Sequence, residues 1–337
     1  MRALKFLSLA AVTVALSAAS SQAADPVKIR FGWAVVPASM VPIFPEKKEL
    51  LKHYGKSYTL DMLKFQGTPQ MITAQATGDI DISTLAFSTI ALAIQNANMQ
   101  DLRVISDEFQ DGVPGYHTNT FIVLKDSPIK KAEDLKGKII ATNGGGSAVD
   151  IAMRAMLRKV KLDDKKDVTW VESPLPNMGA FLMEKKADHV PSVLPFSENA
   201  KLLEASRTLY TQVDAVGQTQ MIIWAARKPF LDKNRAAMVD FFEDAIAAMR
   251  WFEDEKNHAA TVKLVSDFTK IPPAVFDSWL FTKKDYYRNP KLIPNLKALQ
   301  ANMDLQKDLG LLKDTIDISK FSDLSLVEEA GKRAVTN

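Results

Sequence analysis

The sequence predicts an α/β fold of two lobes, each a mainly parallel sheet flanked by helices, joined by two crossing segments. Strands alternate with short loops and helices along most of the chain, which is typical of parallel sheets. The alternation breaks near residues 110–119 and 210–220, as expected where a chain leaves one lobe and later returns to it. The chain has 337 residues, more than one hydrophobic core usually accommodates.

The N-terminus has the pattern of a secretory signal peptide over residues 1–23. A basic start precedes an apolar run over residues 6–16, and Ser21-Gln22-Ala23 has the small residues of a cleavage site. The run is shorter than the roughly 20 apolar residues of a membrane span. The absence of cysteine excludes a disulfide framework and a lipid-anchoring cysteine. We therefore expect a free, soluble protein in an exported compartment, most simply a bacterial periplasm.

The charge pattern argues against a nucleic-acid partner. The formal net charge of +3 falls to about +1 when Arg2 and Lys5 leave with the signal peptide. The sequence has no long basic run interleaved with aromatic residues. Its four histidines are scattered without metal-ligand spacing, so neither a metal nor another cofactor is expected.

The first lobe is predicted to comprise residues 24–112 and 216–337. Thr68, followed by Pro69, is the pattern of a helix start, and Ser88 is predicted to cap the next helix. In open α/β sheets ligands bind beyond the carboxyl ends of the strands, where these caps lie. The strands of this lobe are predicted at Val27–Trp33, Tyr58–Phe65, Asp79–Thr84, Leu102–Phe109 and Met221–Ala226.

Helices are predicted for the rest of this lobe. One of them carries an apolar stripe at helical spacing, which indicates packing in the core rather than a cofactor site. The stripe is formed by Met238, Phe241, Phe242, Ala245, Ile246 and Met249.

The second lobe is predicted to be an insertion over residues 113–215. Its strands are predicted at Thr120–Lys125, Lys138–Thr142, Val168–Glu172 and His189–Leu194. Between the second and third of these, Asn143-Gly144-Gly145-Gly146 predicts a turn, and Ser147 is predicted to cap a helix. Asp150 is expected on the outer face of that helix, paired with Arg154 four residues later.

The glycine turn favours a binding site built from backbone. Glycines let a ligand approach the chain closely, and the N–H groups and dipole at a helix N-terminus favour an anion. A plain connecting turn is the alternative. A phosphate-binding P-loop would need a lysine after the glycines, where the chain has Ser147-Ala148. A dinucleotide fingerprint and a nucleophile elbow would each need a small residue at Val149.

The chain resembles the solute-binding proteins of ABC importers, in the family of nitrate, taurine, alkanesulfonate and pyrimidine-precursor receptors. The motifs that support this resemblance are Gly67-Thr68-Pro69, Ala76-Thr77-Gly78-Asp79-Ile80-Asp81 and Asp134-Leu135-Lys136-Gly137-Lys138, followed by the helix that begins after the glycine turn. The resemblance spans nearly all of the chain after the signal peptide. It implies a two-lobed type II periplasmic binding protein fold whose lobes close on a ligand. It also implies a monomeric receptor that delivers the ligand to a membrane permease and its ATPase.

The resemblance also implies a set of residues that line the cleft between the lobes. Several of them have a plain structural alternative, because Thr68, Ser88, Ser147 and Asn177 are expected helix caps and large aromatic residues usually pack in the core. His117 is included because it is near a predicted crossing. The candidate ligand-binding residues are Trp33, Ser39, Met40, Thr68, Phe87, Ser88, His117, Gly145, Gly146, Ser147, Ala148, Asn177 and Phe196.

The expected ligand is a small organic anion, a sulfonate or a carboxylate, held by backbone and hydroxyl groups against an apolar wall. A pyrimidine precursor is an alternative ligand, and an exported sensor that acts on a membrane kinase is an alternative role. An enzyme is not expected. A pyrimidine-precursor synthase of the same fold uses a cysteine-rich iron motif, and this chain has no cysteine.

Overall fold

The computed structural model describes residues 25–97 and 99–333, so the predicted signal peptide lies outside the described residues. The first lobe is built on a five-stranded sheet in the order β2-β1-β3-β10-β4. Its strands are β1 (Val27–Trp33), β2 (Tyr58–Lys64), β3 (Ile82–Ala86), β4 (Leu102–Asp111) and β10 (Thr219–Arg227). Strand β1 pairs in parallel with β2 and β3. Strand β10 is antiparallel to both β3 and β4, which it separates.

The second lobe contains the strands β5 (Thr120–Leu124), β6 (Ile139–Thr142), β7 (Thr169–Glu172), β8 (Val190–Ser192) and β9 (Ser206–Thr211). Strand β5 is antiparallel to β8 and β9, whereas β6 and β7 are parallel. A parallel bridge between Ile140 and His189 joins the two groups of strands. The sheet of the first lobe is therefore mixed, and the second lobe combines a three-stranded antiparallel sheet with a two-stranded parallel one. The chain leaves the first lobe after β4 and returns to it at β10. It enters the second lobe at β5 and leaves it after β9. Each of these two pairs of strands is therefore antiparallel.

Helices flank both sheets. The chain contains α1 (Thr68–Thr77), α2 (Phe87–Asn96), α3 (Ala148–Lys159), α4 (Met178–Met183), α5 (Ala200–Ala205), α6 (Gln212–Val216), α7 (Lys228–Lys233), α8 (Arg235–Glu253), α9 (His258–Thr269), α10 (Leu296–Asp308) and α11 (Ser325–Arg333). Residues Val41–Leu50 form a 3-10 helix with Pro45 inside it. Within the described part of the chain, none of the helices is long and apolar enough to cross a bilayer.

The core of the first lobe is an aromatic cluster between the sheet and α8. The Phe31 ring meets the Trp224 ring edge-on at 5.3 Å, and Phe242 stacks on Trp224 at 5.9 Å. The predicted stripe of α8 is confirmed as buried, including Phe241 and Phe242. Removing one such buried ring typically costs about 3–5 kcal/mol. This cluster holds together strands from distant parts of the sequence.

The segments between the lobes are braced by a part of the chain that the sequence did not single out. Residues 112–119 lead from β4 to β5, and residues 212–218 lead from β9 back to β10. The Tyr286 hydroxyl donates to Asn119 Oδ1 at 2.6 Å, and the His117 amide donates to the Asp285 carbonyl at 3.0 Å. The amide of Gln110 donates to the Tyr287 carbonyl at 2.8 Å. The segment around Tyr286 therefore lies against the first crossing.

Candidate functional site

A cavity lies between the two lobes, beside the N-termini of α1, α2 and α3. The space inside it, open mouth included, is about 690 Å³. It is lined by Ala34, Val35, Ala38, Ser39, Gln66, Gly67, Thr68, Thr84, Ala86, Glu108, Phe109, Asn119, Asn143, Ser147, Ala148, Val149, Leu175, Val193, Leu194, Met221, Ile222 and Tyr286. Strands β3, β4 and β10 contribute to this lining from the first lobe, while α3 and the ends of β6 and β8 contribute from the second. A molecule inside the cavity would therefore touch both lobes.

One wall of the cavity is aromatic and rigid. The rings of Phe109 and Tyr286 stack with centroids 4.3 Å apart. Burial raises the pKa of Tyr286 well above its ordinary value, so its hydroxyl stays neutral and keeps its hydrogen bond to Asn119. Leu194 and Met221 add apolar surface. A flat or aliphatic ligand body fits such a wall.

The glycine turn presents the N-terminus of α3 to the cavity. Ser147 is the N-cap as predicted, and its hydroxyl accepts from the Asp150 amide at 3.3 Å. Gly144 and Gly146 have φ angles of 138° and 82°, which only glycine adopts without strain. The turn therefore needs these two glycines for its shape.

The N–H groups of this turn are not bare, contrary to the prediction. Carboxylates of the chain itself occupy two of them. Gly146 donates to Asp150 Oδ2 at 2.8 Å, and Gly145 donates to Glu172 Oε1 at 3.1 Å. The amides of Ala148 and Val149, both in the cavity lining, are the ones left for a ligand. The site for an anion is consequently smaller than the glycines suggested.

Asp150 was expected on the outer face of α3, and this is wrong. Its side chain is 1% exposed, and the predicted ion pair with Arg154 is present at 2.9 Å. Arg154 also pairs with Asp164 at 2.9 Å, and Asp164 holds Arg158 at 2.7 Å. The outer-face prediction failed because the helical wheel cannot include Asp164, which comes from the loop after α3. These four residues form a network that fixes the first turn of the helix.

Glu108 is a buried carboxyl group in the cavity lining. Burial raises its pKa to about 8, against the smaller opposing effects of the Ser39 hydroxyl, the Trp224 indole and Arg288. Its Oε1 atom makes no hydrogen bond within the described part of the chain. A polar atom that is buried without a partner is costly, typically about 1–3 kcal/mol.

Four of the candidate residues line the cavity, namely Ser39, Thr68, Ser147 and Ala148. Thr68 is not the cap that was predicted. Gly67 has the N-cap position of α1, and the Thr68 hydroxyl is hydrogen-bonded to that of Thr89 at 2.7 Å. Whether these four residues contact a ligand stays a prediction.

Five other candidates lie around the cavity without lining it. Trp33, Met40 and Phe87 are buried in the core, and the Trp33 ring lies 5.9 Å from that of Phe268. Gly145 and Gly146 form the turn beside the lining.

Ser88 also lies beside the cavity and does not cap α2. The N-cap is Ala86, and Ser88 Oγ donates to the Gly146 carbonyl at 2.9 Å. It therefore links α2 of the first lobe to the glycine turn of the second.

The last three candidates are not among the residues that line the cavity. Asn177 is exposed and makes no side-chain cap, and Phe196 is half-buried. His117 packs edge-on behind Tyr286 with centroids 5.0 Å apart, and burial lowers its pKa to about 4. These positions are consistent with structural roles.

Among the residues that the structure describes, one group of possible metal ligands is brought together, and none of its members lines the cavity. The side chains of His53, Asp240 and Glu243 have ligand atoms within 4.8 Å of one another. The two ring nitrogens of His53 face different carboxylates, Nδ1 at 3.6 Å from Asp240 and Nε2 at 3.3 Å from Glu243. Because two nitrogens of one imidazole point in different directions, this arrangement suits ion pairing better than shared coordination of one ion.

Several cavity residues were missed by the sequence reasoning, above all Glu108, Phe109, Asn119, Asn143 and Tyr286. Glu108 carried a signal, since an acidic residue in a strand that is otherwise buried is uncommon. The sequence around Tyr286 gave no such signal, because only the tertiary fold brings this segment to the first crossing between the lobes.

Comparison with known proteins agrees with this geometry. The NMT1-like family matches residues 22–266. A putative aliphatic sulfonates-binding protein of Escherichia coli (strain K12) is 26% identical over 321 residues, covering 94% of this chain and 95% of that protein.

Two solved structures share the architecture. The periplasmic aliphatic sulphonate binding protein SsuA from Escherichia coli is similar with a TM-score of 0.67 at 21% identity, covering 90% of this chain and 100% of that one. The periplasmic nitrate-binding protein NrtA from Synechocystis PCC 6803 has a TM-score of 0.71 at 13% identity, covering 93% of this chain and 90% of that one. The predicted two-lobed fold is thereby confirmed. Because the family match spans well over half of the sequence, the chain belongs to the NMT1-like family.

Proposed function

We propose that this protein is the extracytoplasmic solute-binding component of an ABC importer, which captures a small organic molecule between its lobes and delivers it to a membrane permease. The observation that carries the proposal is the cavity lined from both lobes, with α3 and the glycine turn on one side and β3, β4 and β10 on the other. A ligand that touches both lobes stabilises the closed arrangement, which a permease can distinguish from the open one.

The proposed ligand is a small organic anion of the sulfonate or carboxylate class. The Ala148 and Val149 amides at the N-terminus of α3 suit its charged oxygens, and Thr68 lines the same cavity. The wall formed by Phe109 and Tyr286 suits an apolar body, which an inorganic ion such as nitrate lacks. The similarity to a putative aliphatic sulfonates-binding protein supports the same class.

The proposed role is not catalytic. No lysine, arginine or histidine is found among the described residues that line the cavity. The lining thus offers a carboxyl group, a phenol and the hydroxyls of Ser39, Thr68, Thr84 and Ser147, without a histidine or a lysine to activate one of them as a nucleophile. Binding and release are the processes that this set of side chains supports.

The proposal also states where the protein is located and how the chain divides into two lobes. Residues 1–23 would direct the protein to the periplasm, where it would meet the permease and ATPase as a monomer. Residues 24–112 and 216–337 would move as one lobe, and residues 113–215 as the other.

A thermal-shift screen tests the ligand class, using sulfonates, carboxylates, nitrate and pyrimidines. A ligand at 100 times its Kd raises the free energy of unfolding by about 2.7 kcal/mol. We expect stabilisation by organic sulfonates or carboxylates and none by nitrate. Stabilisation by nitrate or pyrimidines alone would contradict the proposed class.

A variant of the α3 N-terminus tests where the anion binds. Ser147→Glu puts a negative charge beside the Ala148 and Val149 amides, so we expect at least about a hundredfold weaker binding of the sulfonate found by the screen. Thr73→Glu adds the same charge on the exposed face of α1 and serves as the control. Titration calorimetry that gives equal affinities for Ser147→Glu and the wild type would place the anion elsewhere.

A further inference from the structure

Arg158, near the C-terminal end of α3, joins the two lobes although it is not among the residues that line the cavity. Its Nη1 atom donates to the carbonyl of Leu309, the residue that directly follows α10 in the first lobe. The last carbonyls of a helix have no partner within the helix and form the negative end of its dipole. A guanidinium suits such a carbonyl because it brings both a donor and a positive charge.

The acceptor is held in place by the first lobe. Helix α10 ends in a turn at Gly310, whose φ of 67° lies in the left-handed region. The chain just beyond this turn is bound by Gln95 of α2. The Gln95 side chain accepts from the Lys313 amide at 3.1 Å and donates to the Asp314 carbonyl at 2.6 Å. The Leu309 carbonyl therefore moves together with the first lobe.

The donor is held in place by the second lobe. Asp164 accepts from Arg158 Nε at 2.7 Å and from Arg154 Nη1 at 2.9 Å. The Trp170 indole on β7 donates to the Asp164 carbonyl at 2.7 Å, and the Arg154 guanidinium lies over the Trp170 ring at 4.2 Å. These contacts fix the Arg158 side chain in the second lobe whether or not its bond to the first lobe is formed.

The other end of α3 is also bound to the first lobe, because Ser88 donates to the Gly146 carbonyl at 2.9 Å. In both bonds the donor belongs to one lobe and the acceptor to the other. Hydrogen bonds require donor–acceptor distances of about 2.7–3.2 Å, so a relative movement of about 1–2 Å at these points breaks them. Such bonds distinguish lobes in contact from lobes that have separated.

We propose that the bond from Arg158 to the Leu309 carbonyl, here called the interlobe bond, stabilises the closed arrangement and so raises ligand affinity without touching the ligand. This inference rests on the proposed function, because it concerns closure on a ligand. The apparent affinity is proportional to the fraction of molecules in the arrangement that binds. A cation at a partly buried helix C-terminus is sufficient to change that fraction about three- to tenfold.

Distances between spin labels measure closure directly. Since the chain has no cysteine, two introduced cysteines can be labelled alone. Thr73→Cys on α1 and Lys201→Cys on α5, both at exposed positions, place one label on each lobe. We expect Arg158→Gln to shift the ligand-free distances, measured by double electron–electron resonance, towards the longer distances of the open arrangement.

Titration calorimetry and stopped-flow kinetics measure the effect on binding, with ethanesulfonate and 4-methylbenzenesulfonate as the probes. We expect Arg158→Gln to bind them about three- to tenfold more weakly, mainly through faster dissociation. The two measurements are complementary. If the ligand-free wild type is mostly closed, the change appears in the label distances, and if it is mostly open, the change appears in the affinity.

A second arginine of the same lobe provides the matched control. Arg207 is also half-buried and donates to backbone carbonyls, those of Ser127 and Ile129, but both belong to its own lobe. Arg207→Gln should therefore keep the wild-type distances and affinities, even where its melting temperature falls. Arg158→Lys retains a positive charge near the Leu309 carbonyl and should recover part of the affinity that Arg158→Gln loses.

The outcomes separate this inference from the proposed function. Unchanged distances together with unchanged affinities in Arg158→Gln would overturn the inference. Shorter distances or tighter binding would also overturn it, because the bond would then belong to the open arrangement. So would an equal effect of Arg207→Gln. Failure of both sulfonates to bind the wild type would contradict the proposed sulfonate class. The ligand-free distances would then decide alone, with longer distances supporting the interlobe bond and unchanged distances overturning it.

Discussion

At the scale of single residues, Asp150 is a charged residue at the α3 N-terminus whose contacts stabilise the fold. Its carboxylate accepts from Gly146 and pairs with Arg154, and it is almost fully buried. Removing one partner of a buried ion pair leaves the other charge uncompensated, which typically costs about 3–5 kcal/mol. The carboxylate is therefore a structural part of the α3 N-terminus.

We predict that Asp150→Asn lowers the free energy of unfolding by about 2–3 kcal/mol, somewhat less than full removal because the amide can still form hydrogen bonds. Urea denaturation measures the change. Asp232→Asn is the matched control, since the Lys228–Asp232 pair is exposed and has the same spacing of four residues. That variant should change stability by less than about 0.5 kcal/mol. Equal effects of the two substitutions would mean that the Asp150 network contributes little.

Individual residues also show how far local sequence patterns can predict the site. Ser147 was predicted correctly as a cap because the Asp150 amide that it binds is only three residues away. Thr68 and Ser88 have equally good local patterns, but their hydroxyls bind Thr89 and the Gly146 carbonyl, which only the folded chain brings near. Local spacing contains no information about such partners.

At the scale of elements, the glycine turn before α3 is where the two lobes meet. The Gly146 carbonyl accepts from Ser88 on α2, and a side chain on Gly146 would place its Cβ 2.5 Å from Leu92 Cδ1. Gly145 has room, since a Cβ there would meet only Glu172 Oε1, at 4.0 Å. Neighbouring glycines thus have different roles.

We predict that Gly146→Ala lowers the free energy of unfolding by about 1–2 kcal/mol, because alanine is strained at a φ of 82°. Gly145→Ala, whose φ lies outside the left-handed region, should leave stability unchanged or raise it slightly. Parallel thermal and urea denaturation of the two variants tests this. Equal stability of the two variants would show that the turn relaxes without cost.

At the scale of the whole molecule, the structure has the lobes in contact across the cavity. Ser88 reaches the glycine turn, and a side chain on Gly67 would come within 3.3 Å of Asn143 Nδ2. The crossings at residues 112–119 and 212–218 are short enough to act as a hinge of two segments.

We predict that the radius of gyration in solution decreases when a sulfonate identified by the thermal-shift screen is added. The reason is that a ligand held by both lobes favours the closed arrangement. Small-angle scattering with and without that sulfonate measures the change, with nitrate as the non-binding control. An unchanged radius at saturating sulfonate would mean that the lobes do not move.

The overall architecture was predictable because the alternation of strands and helices is a local pattern that repeats along the chain. The bracing of the first crossing by Asp285 and Tyr286 was not, since nothing in their own segment indicates what it packs against. The aromatic wall and the buried Glu108 lie at that same junction. The sequence therefore predicted the framework of the cavity better than its chemistry.

The position of β10 has a consequence for how the molecule folds. This strand lies between β3 and β4, and pairs Ile222 with Ala86, so the first lobe cannot complete its sheet until a late part of the chain has arrived. Closing such long loops costs conformational entropy before the strands have paired. Folding also becomes slower as the contacting residues become more distant in sequence. We expect folding of the first lobe to be slow, with β3 and β4 exposed as unpaired edges until β10 docks.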